Sequence, residues 1–78
     1  MIFNYNKLRG KIVEKTRTNK EFAERMNMSE RTLSLKLNGE RAWKQPEIVK
    51  AISLLGLTPE DIQPYFFDLE VQTIEQAS

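Results

Sequence analysis

Residues 19–39, NKEFAERMNMSERTLSLKLNG, constrain this chain more than any other stretch, because they set two helix patterns around one turn signal. Phe22, Ala23 and Met26 share one helical face. Asn27 then interrupts, and asparagine is among the few residues other than glycine that tolerate the left-handed backbone of a tight turn. Ser29 follows as an N-cap, its hydroxyl placed to accept from backbone N–H groups of the next turn. Leu33 and Leu37 form the apolar stripe of the second helix, and Gly39 takes the usual glycine position past its end. The expectation is two short helices, the second over about residues 30–38.

That second helix has a divided surface. Arg31, Ser34, Leu35 and Asn38 fall on one stripe, roughly opposite Leu33 and Leu37. Such a face suits a DNA major groove. Arginine pairs with guanine, asparagine with adenine, and an exposed leucine meets a thymine methyl. Glu30 could accept from cytosine, but a capping acid at the positive helix end is the stronger reading. A plain helical hairpin with a solvated polar face fits the same spacing, and spacing leaves the two about even.

The stretch also resembles the helix-turn-helix of the phage repressor and Cro family. Ala23 matches the family's small residue in the first helix, Met28 the apolar residue after the turn, Ser29 the cap and Leu33 the apolar anchor. Leu37-Asn38-Gly39 is similar to that family's helix end. Asn27 stands where the family has glycine, and Lys36 where it has a second apolar anchor, a role expected of Leu37. The likeness extends more weakly over residues 5–61, closest to the small Cro-like regulators of temperate phages. It implies an all-α fold, a compact five-helix repressor-like bundle containing the helix-turn-helix, with a C-terminal extended tail. It also implies phosphate contacts near the start of the first motif helix and along the segment after the second. Arg17, Thr18, Lys20, Ser29, Arg41 and Lys44 are the residues so placed.

Composition narrows the function. Seventy-eight residues make one domain with a small core. With no cysteine there is neither disulfide nor thiolate metal site, and with no histidine the commonest general base and transition-metal ligand are gone. No glycine-rich phosphate loop or metal-ligand cluster is present, so neither an enzyme nor a cofactor or metal is expected. No signal peptide or membrane span is visible, which makes a cytoplasmic protein the default. The net charge of +1 hides a split: residues 1–50 hold all 12 Lys/Arg and 6 acids, whereas residues 51–78 hold 5 acids and no base. A basic body with an acidic end fits a nucleic-acid-binding half, although a mixed solvated surface would look similar.

The rest of the chain reads as helices and a tail. Asn4 caps a first helix over residues 5–16, with Leu8 and Ile12 as its apolar pair. Gly10 inside that helix suggests close packing against a neighbour, because it costs about 1 kcal/mol relative to alanine. Thr18 as cap with Glu21 three residues on would complete a capping box. Trp43 is read as a packing residue far more readily than as a wedge between bases. Pro46 opens a fourth helix over residues 46–55, with Ile48, Ala51, Ile52 and Leu55 inward. Thr58-Pro59-Glu60-Asp61 starts a fifth, which Pro64 is expected to break. Phe67, Leu69 and Val71 then alternate with polar residues, the period of a strand. That strand could pair with a twofold mate, the aromatics Phe66 and Phe67 could pack over the helices, or the surface could serve another protein.

The divisions expected are a DNA-binding domain over 1–66 and a tail over 67–78. The expected function is a sequence-specific DNA-binding transcriptional regulator, a homodimer setting two recognition helices into successive major grooves of a double-stranded operator. In the alternative, the same scaffold or its tail is a protein-interaction module, an anti-repressor that binds a partner repressor.

Overall fold

The computed structural model describes residues 3–69. Five α-helices follow one another: α1 (Asn6–Thr16), α2 (Asn19–Met26), α3 (Glu30–Leu37), α4 (Gln45–Leu54) and α5 (Ile62–Phe66), the last entered through a 3₁₀ turn at Pro59–Asp61. The all-α five-helix expectation holds. One core unites them, built on Leu8 and Ile12 of α1, Phe22 and Ala23 of α2, Leu33 of α3, Ala51 of α4, Leu55 beyond it and Phe66 of α5.

Local chemistry sets most of the helix ends. Thr18 Oγ1 accepts from Glu21 N at 3.1 Å, and Ser29 Oγ accepts from Thr32 N at 3.0 Å. Asn27 turns left-handed at φ 61°, ψ 42°, which swings the chain from α2 into α3. Gly39 (φ 79°) and Gly56 (φ 70°) carry the left-handed backbone after α3 and α4. Glu21 does not complete the capping box: its Oε2 accepts from Arg25 Nη2 at 2.9 Å instead. The α1–α2 connection is tighter than expected. Arg17 has φ 73°, ψ −43°, and Thr18 N donates to Thr16 O at 2.8 Å, the geometry of a γ-turn.

Two expectations need correction, and one left open is decided. Pro64 does not break α5, because it lies in the first turn, where a missing N–H leaves no helical bond unmade. Gly10 is not a close-packing site, since a Cβ there would meet nothing within 4 Å. Gly10→Ala should therefore stabilise the fold by about 0.5–1 kcal/mol in urea titration, through a less flexible unfolded chain. No gain, or a loss, would mean that this helix face meets something the monomer does not contain. The alternating tail finds its partner within the chain: Leu69 forms an isolated antiparallel bridge with Phe3, and Asn4 N donates to Asp68 O. Val71 lies outside the described residues.

Candidate interaction surfaces

The α3 helix is held from three sides. Leu33 and Leu37 are buried against the core, as their spacing requires. Leu37 is part of the apolar core, as expected of it, and Lys36 is buried beside it as well. The four-carbon stem of Lys36 fills apolar space while its ammonium meets two oxygen partners. Nζ donates to Ala42 O at 2.9 Å and pairs with Glu47 Oε1 at 2.8 Å. Glu47 Oε1 also accepts from Lys44 N at 2.9 Å, which fixes the start of α4. Burial alone would raise the Glu47 carboxyl. The hydrogen bonds from Lys36 and from the Lys44 backbone, with the charges of both lysines, outweigh it and hold the group below its ordinary value. One ion pair thus ties α3, the following loop and α4 together.

The third support comes from α1. Arg9 Nη2 donates to Leu37 O at 3.0 Å and to Asn38 Oδ1 at 2.7 Å. A cation at a helix C-terminus is favourable, and here it also satisfies a carbonyl the helix leaves open. Asn38 lies just past the end of α3, as its C-cap, with its side-chain oxygen on Arg9. The helix stops at Leu37, one residue short of the expected end, and leaves Asn38 exposed with its side-chain oxygen engaged.

The outward face of α3 keeps Glu30, Arg31 and Ser34 exposed and Leu35 half-buried. The residues expected at phosphates fall elsewhere. Arg17, Thr18 and Lys20 are exposed at the α1–α2 connection, and Arg41 and Lys44 are exposed in the α3–α4 loop. Thr18 and Ser29 have their hydroxyls engaged as caps, and Ser29 Oγ also donates to Thr32 Oγ1 at 2.9 Å. Spacing in sequence brought together the α3 set; it did not reveal Arg9, whose partners lie 28 and 29 residues away.

Beside the C-terminal end of α3 lies a groove of about 380 Å³ that the sequence did not announce. Its walls come from three distant segments: Phe3 and Tyr5 before α1, residues 38, 39 and 41–43 after α3, and Phe66 and Phe67 at the end of α5. Trp43 packs edge-on against Phe66 with centroids 5.1 Å apart, so it is a packing residue as expected. Phe3 meets Phe67 edge-on at 5.6 Å and Tyr5 at 6.3 Å. Burial pushes the Tyr5 phenol above its ordinary value. The Trp43 indole nitrogen is buried with no acceptor among the described residues. Among those residues there is no group of acids that could hold a metal ion, and no helix is long and apolar enough to cross a membrane.

Comparison with known proteins bears on the choice between an operator reader and a protein-interaction module. Residues 1–69 match the family described as "Protein of unknown function (DUF739)". No curated protein matches the chain. Among solved structures, it is similar to the modulator of repression (MOR) of the temperate bacteriophage TP901-1 from Lactococcus lactis. Identity is 50%, the match covers 92% of this chain and 97% of that one, and the TM-score is 0.77. This overturns the expectation of an operator-reading regulator of the Cro type. A likeness of this extent is to a modulator of repression, and it favours the reading in which the scaffold meets a protein. The physical source of the error is plain: a short helix bearing Arg, Ser and Leu outward presents the same chemistry to a protein as to a base pair.

Proposed function

We propose, from the premise that this chain belongs to the DUF739 family, that it is a protein-interaction module that binds a partner repressor and so modulates repression. The observation that carries the reading is the 50% identity, across nearly the whole of both chains, to a protein named for modulating repression. The resemblance of α2–α3 to the phage repressor and Cro helix-turn-helix enters here as a shared scaffold. Its exposed α3 face, with Glu30, Arg31, Ser34 and the half-buried Leu35, is the surface we assign to the contact. A central apolar residue ringed by polar ones has the character of a protein interface, where the rim excludes water from a small anchor.

The test is a titration of this protein against any repressor encoded near its own gene, with and without that repressor's operator DNA. A saturable protein complex, with a change in operator occupancy, is the expected result. Arg31→Ala should weaken the complex and leave the thermal melt unchanged, because Arg31 is exposed. A folded protein that forms no complex at micromolar concentration would sink the reading.

A further inference from the structure

The aromatic groove is more than a packing defect. Five rings reach it from parts of the chain up to 64 positions apart, Phe3 to Phe67. They are held together by the Phe3–Leu69 bridge and by the Asn4–Asp68 hydrogen bond. Phe67, one of its walls, is 42% exposed, and Leu69, bridged to Phe3 beside it, is 43% exposed. Large exposed apolar side chains placed together mark contact surfaces more often than isolated ones do. The volume, about 380 Å³, is within the range of sites that accept a compact ligand group.

The lining also has a sign. Among the described residues that line the groove, Arg41 alone is charged, and its guanidinium forms no hydrogen bond or ion pair with any of the described residues. An apolar slot with one unpaired cation at its rim selects an apolar side chain flanked by a carboxylate. Arginine binds a carboxylate through a planar fork, which gives direction as well as attraction. A basic segment would place like charges together and should be rejected.

We infer that the groove walled by Phe3, Tyr5, Trp43, Phe66 and Phe67 is a docking site for a short acidic–aromatic segment of the partner protein. One ring enters among the five, and a neighbouring carboxylate pairs with Arg41. The inference rests on the protein-binding reading proposed above and adds a second contact, continuous with the C-terminal end of α3 through Asn38 and Gly39.

Trp43 is the single tryptophan of the chain, so its indole N–H signal in a nitrogen–proton NMR spectrum reports directly on the groove. The probe is a capped tripeptide with phenylalanine between two aspartates, and its control carries lysines in place of the aspartates. Titrating the full chain with the acidic peptide should move the Trp43 signal saturably, and the lysine peptide should not. Arg41→Glu should weaken peptide binding by about tenfold or more, the loss of one charge-assisted pair. An unmoved indole signal, or equal shifts with both peptides, would overturn the inference. So would a signal that moves with protein concentration alone, since a second copy of the chain would then be the occupant.

The repressor titration separates the two proposals. Arg41→Glu alters an exposed side chain and should leave the melt unchanged, and Phe67→Ser, which loses an edge contact with Phe3, should lower it only slightly. Each should weaken the repressor complex about tenfold. If both retain wild-type affinity while Arg31→Ala loses it, the groove fails and the protein-binding module stands. If the wild-type chain binds no repressor, the module fails, and the peptide result alone decides the groove.

Discussion

Glu47→Gln is expected to destabilise the fold by about 3 kcal/mol, far more than a change at a partly exposed carboxylate would normally do. The reason is Lys36, whose side chain is only 2% exposed and whose ammonium has Glu47 as its counter-charge. Breaking a buried pair by removing one partner costs about 3–5 kcal/mol, because the remaining charge is left uncompensated. The low end applies, since Glu47 is 24% exposed and water can approach the site. Lys36→Met removes the charge and keeps most of the stem's volume, so it should cost much less, and adding it to Glu47→Gln should recover stability. Urea unfolding of the three variants measures this directly. A Glu47→Gln protein as stable as the wild type would show that Lys36 finds another way to keep its charge.

The same pair predicts a pH dependence. The folded-state carboxyl of Glu47 lies below its ordinary value, so the unfolded chain takes up its proton first on acidification. The stability contributed by the pair is fully present above the ordinary glutamate range, about pH 4.3, and is lost as pH falls through the lower folded value. Glu47→Gln should flatten that part of the acid limb. Unchanged curvature in the variant would assign the limb to other carboxylates.

How much of this could be read in the sequence depended on how far apart the partners lie. The caps at Thr18 and Ser29, the left-handed Asn27 and the glycines after α3 and α4 are local devices, and each lies where its neighbours demand. Lys36 was unreadable because its counter-charge lies eleven positions on, across a loop whose path no local rule fixes. Arg9 and the aromatic groove were hidden for the same reason: Arg9 meets its partners 28 and 29 residues away, and the groove forms only where Phe3 and Leu69 are brought together. The functional error had another source. Charge split and helix-face chemistry are compatible with phosphate, with bases and with a protein surface, so neither could discriminate between partners.

Phe66 and Phe67 provide the sharpest contrast between adjacent residues, because the sequence gives both the same apolar character. Phe66 is 1% exposed and packs against Trp43, whereas Phe67 turns outward at 42% exposure. Phe66→Ala should cost about 3–5 kcal/mol, the range for a phenylalanine deleted from a core. A chain of this length has a total stability of only about 4–12 kcal/mol, so a large part of it would be lost. The damage should be greatest where α5 joins the core. That helix is five residues long and too short to persist without tertiary contacts. Phe67→Ala should change the melting temperature little, since its ring is already partly in water. Differential scanning calorimetry of the two variants tests the contrast. Equal losses would mean that Phe67 is as much a core residue as its neighbour. That outcome would also close the groove to any partner, because a ring buried in the monomer cannot serve as a free wall of a docking site.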